Sequence, residues 1–80
     1  MQYDVYMKVK TNIWKIRYEK GWSMHELARV TGISKTTLYN YENNNVSPTL
    51  ENLYKIATTL NVNMEELYYV SNEEYSPPIY

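Results

Sequence analysis

Apolar residues recur at helical spacing in several short segments of the chain, with polar residues between them. The clearest stripe lies between residues 50 and 60 and consists of Leu50, Leu53, Ile56, Ala57 and Leu60. Steps of three and four residues place such side chains on one face of an α-helix. The spacing of Ile13 and Ile16 predicts an earlier helix, with Thr11 as its cap and Gly21 as its stop.

Capping residues mark the starts of three further helices. Ser23 followed by Glu26, and Asn63 followed by Glu66, form capping boxes, in which each side chain satisfies an unpaired backbone N–H of the first turn. Ser34 caps the helix that lies between these two. Together with the two apolar stripes, these signals predict an all-α fold of five short helices.

The two ends of the chain carry weaker signals. Alternating apolar residues from Tyr3 to Val9 fit a short N-terminal strand or dimer arm, but Met7 to Lys10 also fit the lead-in to a helix, which we expect. Pro77 and Pro78 prevent a long helix at the other end. The predicted division is an N-terminal arm (1–8), one helical domain (9–70) and a flexible C-terminal tail (71–80).

The composition excludes several classes of protein. Eighty residues are enough for one small domain. Because the chain has no cysteine and only one histidine, His25, neither a metal site nor a disulfide framework is expected. The sequence has no histidine-paired nucleophile, no glycine-rich phosphate loop, and no apolar run near the roughly 20 residues that a membrane span needs. We therefore expect a cytoplasmic protein that is not an enzyme and uses no cofactor, metal or membrane.

The net charge of −1 hides a polarised chain. Residues 1–42 contain seven of the eight basic residues and four acidic ones, whereas residues 43–80 contain Lys55 and five acidic residues. This asymmetry indicates that the N-terminal half faces an anionic partner. The overall pI of about 5.7 is low for a nucleic-acid-binding protein, so charge alone leaves the class open.

Residues 24–43 carry the spacing of a helix-turn-helix motif. Ala28 is small enough for a second helix to cross closely, and Gly32 can adopt the positive φ that the turn requires. The apolar positions that hold the two helices together are Leu27, Ile33, Leu38 and Tyr41. Together with the predicted helices before and after this motif, residues 9–69 resemble the Cro and phage-repressor family of DNA-binding domains, also called XRE-type. This resemblance implies a lambda-repressor-like DNA-binding domain of five short helices.

The resemblance also implies which residues meet DNA. It makes the helix from Ser34 to about Asn44 the recognition helix, which enters the major groove by its N-terminal turn. Lysine can donate to guanine O6 and N7, asparagine can pair bidentately with adenine, and a threonine methyl can touch the methyl of thymine. The implied base-reading residues are Lys35, Thr36 and Asn40. The implied phosphate contacts are Ser34, Thr37 and Asn43, with Tyr39 on the same face.

The same resemblance implies a buried ion pair between Arg17 and Glu42, which fastens the first helix to the third. The chain departs from the family at two places. Met24 stands where members commonly carry a phosphate-binding glutamine, and the loop residues 44–46 are Asn-Asn-Val where members often carry glycine and a cation. Each missing cationic contact predicts weaker binding and a shallower salt dependence.

Two functions follow as expectations. The first is a sequence-specific transcriptional regulator, a repressor that binds double-stranded DNA as a homodimer, because one small domain contacts only about one half-site. Its predicted dimer interface consists of Met64, Leu67, Tyr68, Tyr69 and Val70, unless these residues fold back onto the helices. The second is an antitoxin-like or antirepressor-like module that grips another protein through its C-terminal tail. The acidic second half and the missing cationic anchors favour this alternative.

Four aromatic residues outside the motif are expected to pack. We expect Trp14, Trp22, Tyr18 and Tyr54 to lie in or against the core and not to serve as base-stacking platforms.

Overall fold

The computed structural model describes residues 5–74, and residues 1–4 and 75–80 lie outside this description. Two short strands flank a bundle of helices. The elements in order are β1 (Val5–Thr11), α1 (Ile13–Glu19), α2 (Met24–Thr31), α3 (Lys35–Glu42), α4 (Leu50–Leu60), a one-turn 3₁₀ helix (Met64–Leu67) and β2 (Tyr68–Glu74).

Side-chain caps fix the starts of three of the four α-helices. The hydroxyl of Ser23 accepts a hydrogen bond from the backbone N–H of Glu26 at 3.0 Å, and the hydroxyl of Ser34 accepts one from Thr37 at 3.1 Å. Thr49 caps α4 in the same way. Gly32 ends α2 in the left-handed region at φ +76°, so the chain turns sharply into α3. The caps at Ser23 and Ser34 and the turn at Gly32 are where the sequence predicts them.

The core lies between the four α-helices and the one-turn helix. Its buried apolar residues among those described are Ile13, Leu27, Ile33, Leu38, Tyr41, Leu53, Ile56, Ala57, Leu60 and Leu67. Four of the five residues of the predicted α4 stripe are among them. Leu50 is the exception, with 77% of its surface exposed, because it lies in the first turn of α4, beyond the packed layer.

The predicted fifth helix is only one turn long. Its start is as expected, since the backbone N–H of Asn63 donates to the Glu66 carboxylate at 2.9 Å. The helix stops at Leu67 because Tyr68 is extended, with φ −145° and ψ 162°. From there the β-prone residues Tyr68, Tyr69 and Val70 pair with β1. The fold is therefore four α-helices with a small sheet, and the all-α prediction of five helices is wrong in this respect.

The second correction concerns the chain ends. Strands β1 and β2 form a two-stranded antiparallel sheet, in a register that sets Val9 opposite Val70 and Thr11 opposite Tyr68. The helical lead-in expected near Met7 is therefore a strand. The sheet runs across both boundaries of the predicted domain, because the predicted arm supplies residues 5–8 and the predicted tail supplies residues 71–74. The rest of the arm and tail lies outside the described residues.

Thr11 joins the sheet to α3 instead of capping α1. Asn12 occupies the cap position of α1, and Thr11 is buried. The backbone N–H of Thr11 donates to Oδ1 of Asn44 at 2.9 Å, and its hydroxyl donates to the carbonyl of Tyr41 at 2.9 Å. These two bonds fasten the end of β1 to the C-terminal end of α3.

An ion pair joins α1 to the same end of α3. Nε of Arg17 lies 2.7 Å from Oε2 of Glu42, and the second guanidinium contact to Oε1 is 3.0 Å. A third nitrogen of Arg17 donates to the carbonyl of Trp22 at 3.0 Å. The hydrogen bond with Glu42 raises the pKa of Arg17 above its ordinary value, although burial opposes the shift. The two side chains are 18% and 7% exposed, so the pair is largely withdrawn from water.

Three of the four aromatic residues expected to pack in or against the core are exposed. Trp14 and Tyr18 of α1 expose 53% and 74% of their surfaces, and their ring centroids lie 6.5 Å apart. Tyr54 of α4 is exposed as well. Trp22 is half-buried and packs against the core, as the sequence predicts.

We predict that Glu42→Leu lowers the free energy of unfolding by about 3 kcal/mol, because it leaves Arg17 largely buried without its partner. The double variant Arg17→Met, Glu42→Leu should recover most of this loss, since apolar residues of similar volume often replace such a pair at little cost. Urea denaturation followed by circular dichroism measures both. A loss of less than about 1 kcal/mol in the single variant would mean that the pair behaves as an exposed surface pair.

Candidate nucleic-acid interface

Helix α3 presents one face to the core and the other to solvent. Leu38 and Tyr41 are its buried residues. Of the residues predicted to meet DNA, Ser34, Lys35, Thr36, Tyr39 and Asn43 are exposed, and Thr37 and Asn40 are half-buried. The structure thus brings all seven together on the open side of α3 and its N-terminal turn.

The N-terminal turn of α3 is suited to an anion. The backbone N–H groups of Lys35 and Thr36 have no acceptor within the helix, because they belong to its first turn. The macrodipole disfavours a lysine at this end, and an anion such as a phosphate would relieve that cost. The hydroxyl of Ser34 donates to that of Thr37 at 2.9 Å, which leaves the Thr37 hydroxyl hydrogen available to an outside acceptor.

Asn40 is held in place by the loop that follows α3. Its Oδ1 accepts a hydrogen bond from the side-chain amide of Asn45 at 3.2 Å, and its carbonyl accepts one from the backbone of Asn45 at 2.9 Å. A carboxamide oxygen has two lone pairs, so Asn40 can still accept from adenine N6 while its amide donates to N7. The side-chain amide of Asn43 donates to the carbonyl of Tyr39 at 2.9 Å, so one of its two donors is already used.

Helix α2 adds a cation that the sequence reasoning missed. Arg29 is exposed and lines a shallow hollow between α2 and α3 together with His25, Ser34 and Lys35. The signal was present in the sequence, because Arg29 lies three residues before the turn glycine, Gly32, which brings the end of α2 beside the start of α3. Met24 is half-buried and packs against the core, and its thioether cannot donate to a phosphate.

The predicted dimer residues separate into two groups. Leu67 is 0% exposed and belongs to the core, so its assignment to a dimer interface is wrong. Met64 and Tyr68 are half-buried against that core, as the alternative reading expected. Tyr69 and Val70 are exposed on β2. The pairing with β1 explains the split, because it draws the base of β2 onto the helices.

A different apolar surface lies beside these residues. We call it the apolar groove, and it is lined by Val9, Thr11, Ser47, Pro48, Leu50, Leu53, Met64, Glu65 and Tyr68. Leu50 and Val9 are exposed at its rim, and Val70 lies opposite Val9 in the sheet. The groove therefore continues the exposed part of β2.

Within residues 5–74 no helix is long and apolar enough to cross a membrane. The same part of the chain holds no group of three or more histidine, cysteine, aspartate or glutamate residues that could bind a metal ion.

Comparisons with known proteins agree with this geometry. The HTH-type transcriptional regulator SutR of Escherichia coli K12 is 46% identical over 54 residues, which are 68% of this chain and 30% of SutR. The antitoxin HipB of the same strain is 39% identical over 49 residues, or 61% of this chain and 56% of HipB. The chain thus spans about a third of the length of one relative and about half of the other.

The chain is also similar to a solved structure. The biofilm regulator SinR, crystallised with DNA, superposes with a TM-score of 0.63 at 35% identity, covering 66% of this chain and 86% of that one. The model of the family described as Helix-turn-helix matches residues 15–67, which include all four α-helices except the start of α1. The chain therefore belongs to the XRE-type helix-turn-helix family, as its resemblance to Cro and the phage repressors predicts.

Proposed function

We propose that this protein is a sequence-specific transcriptional regulator that binds double-stranded DNA. The observation that carries the proposal is the open face of α3, where Lys35, Thr36 and Asn40 lie beside donors for phosphate. The similarity to SutR, a transcriptional regulator, and to SinR, which was crystallised with DNA, supports it.

In the proposed complex, the N-terminal turn of α3 enters the major groove. Lys35 donates to guanine O6 or N7, Asn40 pairs with adenine, and the methyl group of Thr36 contacts the methyl group of thymine. Thr37 and Asn43 position the helix by donating to phosphates, and Tyr39 lies on the same face. Ser34 reaches a phosphate as a donor when its hydroxyl hydrogen turns away from Thr37. Phosphate contacts fix the register on the duplex, whereas base contacts give sequence preference.

The helix is held rigidly before DNA arrives. Glu42 and Tyr41, at its C-terminal end, are bound to α1 and β1, and Asn40 is bound to Asn45 of the following loop. A group that is already oriented loses little conformational entropy on binding. We infer that α3 docks as a rigid element, with adjustment confined to Lys35 and other exposed side chains.

The regulator acts as a homodimer and represses transcription by occupying a pseudo-palindromic operator. One domain contacts about one half-site, so useful specificity requires two copies related by a two-fold axis. The apolar groove is the proposed dimer surface, since Leu50 and Val9 expose apolar area there and the exposed Val70 lies opposite Val9 in the sheet. This replaces Leu67, which is buried within its own chain.

Selection from a randomised duplex-DNA pool at about 0.15 M salt tests the DNA-binding function. The expected product is a palindrome with half-sites about 10 base pairs apart, one helical turn. Asn40→Ala should relax the preference at one base per half-site by roughly 1–3 kcal/mol, and Lys35→Ala should weaken binding and reduce the preference for guanine.

The matched control is Lys55→Ala, which removes an equal charge from an exposed position on α4. Its recovered motif should equal that of the parent protein. If Lys35→Ala and Asn40→Ala leave both affinity and motif unchanged, the assignment of these two residues is wrong. If the parent protein enriches no motif even at about 0.05 M salt, the proposed function is wrong.

Leu50→Glu should shift the protein from dimer to monomer in sedimentation equilibrium and abolish cooperative binding to a two-half-site operator. The substitution adds a charge to the apolar groove but favours the helix, because an acidic residue in the first turn suits the macrodipole. Tyr54→Glu is the control, since Tyr54 is another exposed apolar residue of α4 that does not line the apolar groove. Equal dissociation in both variants, or in neither, would contradict the proposed surface.

A second candidate function is an antitoxin-like module whose main partner is another protein. The similarity to HipB, an antitoxin, favours it, and so do the exposed rings of Trp14 and Tyr18 on α1. Exposed aromatic residues are enriched where proteins bind each other. Because β2 extends to Glu74, removal of residues 71–80 would damage the sheet, and truncation after Glu74 is the proper test of the predicted tail contact.

A further inference from the structure

We propose that Lys8 of β1 and the loop between α3 and α4 together form a binding site for a phosphate of the DNA backbone. We call residues Asn44 to Ser47 the α3–α4 loop. The inference rests on the proposed DNA-binding function and adds to it a cation from outside the helix-turn-helix motif. In this proposal, Lys8 supplies the positive charge that the α3–α4 loop itself lacks.

The α3–α4 loop has no positive charge of its own. The sequence contains no lysine or arginine between Lys35 and Lys55, so the second half of α3 and everything up to α4 is without a cation. The loop nevertheless borders the predicted DNA-binding face, because Asn45 is bound to Asn40 through both its backbone and its side chain. A phosphate next to Asn40 would therefore need a cation from another element.

Strand β1 brings such a cation to the loop. The described residues that line the hollow between them are Lys8, Val9, Asn44, Asn45, Val46 and Ser47. The position of the strand is fixed, since the N–H of Thr11 donates to Oδ1 of Asn44 and the hydroxyl of Thr11 donates to the carbonyl of Tyr41. Lys8 lies three residues before this anchor and is exposed.

The chemistry of the hollow suits an anion. Its described lining residues include one cation and no carboxylate. Oδ1 of Asn44 is taken by Thr11, which leaves the amide nitrogen of Asn44 as a donor, and the hydroxyl of Ser47 is another donor. Because the N–H of Thr11 points away from β2, the alternation of an antiparallel ladder directs the N–H of Val9 the same way, toward the loop. A phosphate oxygen is the acceptor that this set of donors fits.

One hydrogen-bonded pair connects the proposed phosphate site to the proposed base-reading residues. Asn40 is bound to Asn45, which shares the hollow with Lys8. A lysine that neutralises one phosphate releases condensed counterions, and each such contact contributes about −0.9 to the slope of log affinity against log salt. Since a phosphate contact carries no base information, it should act alike on every DNA sequence.

The test is Lys8→Gln in the full chain, titrated with the operator and with unrelated duplex DNA between about 0.05 and about 0.2 M salt. The slope should become shallower by about 0.9 for each bound protomer, so the parent protein should lose roughly 3.5-fold more affinity per protomer than the variant over this range. The ratio between operator and unrelated DNA should stay constant. Circular dichroism should show an unchanged fold, because Lys8 is exposed.

Two further variants locate the charge. Lys55→Gln removes the same charge from α4, at a hollow lined by Val30 and Thr31, and should leave the slope unchanged because distant charges are screened. Lys8→Gln with Val46→Lys puts a cation back on the α3–α4 loop itself and should restore the parent slope.

An unchanged slope in Lys8→Gln, a change of equal size in Lys55→Gln, or a double variant that does not recover would overturn the phosphate site while leaving the DNA-binding function intact. Failure of the parent protein to bind any duplex would overturn the proposed function and this inference with it.

Discussion

The position of α3 depends on polar interactions that are gathered at its C-terminal end. Arg17 holds Glu42 by two hydrogen bonds, and Thr11 binds the carbonyl of Tyr41 and the side chain of Asn44. The buried side chains of Leu38 and Tyr41 set which face of α3 meets the core, but the hydrophobic effect is non-directional. The polar bonds add directional contacts at the C-terminal end of α3, opposite its N-terminal turn, and these hold its open face in position.

This arrangement separates stability from recognition. Thr11, Arg17, Tyr41 and Glu42, which fix α3, are buried or half-buried, and their partner Asn44 is exposed. Most of the residues proposed to read DNA are exposed and take part only in local hydrogen bonds. In the proposed complex, changes at Lys35 or Thr36 therefore alter sequence preference while the core and its anchors stay the same. A small domain of this kind can be redirected to a new operator without a new fold.

The sequence predicts best those features whose cause lies within four residues. The caps at Ser23 and Ser34 and the turn at Gly32 follow from local hydrogen bonds and backbone freedom, and the structure has all three. The resemblance to the family added the roles proposed for α3, which local rules could not assign. The burial of Leu67 and the exposure of Leu50 were missed because the helical pattern does not show where the packed layer ends.

The sheet was missed for a different reason. Its strands come from opposite ends of the chain. The short alternation in β1 also fits a helix lead-in, and β2 consists of three β-prone residues followed by polar residues that fit a tail. Only their pairing makes Thr11 an anchor and brings Lys8 to the α3–α4 loop. A single sequence contains no local signal for a contact between residues so far apart in the chain. The sequence alone therefore could not associate Lys8 with the α3–α4 loop.

That pairing has a consequence for how the molecule folds. Val5 and Glu74 face each other across nearly the whole chain, so closing the sheet costs more chain entropy than forming any of the helices. A two-stranded ribbon is also marginal in water by itself, so it depends on the contacts of Thr11 and Tyr68 with the helical core. The sheet should therefore be the last part to form and the first to open, while α2, α3 and α4 remain folded.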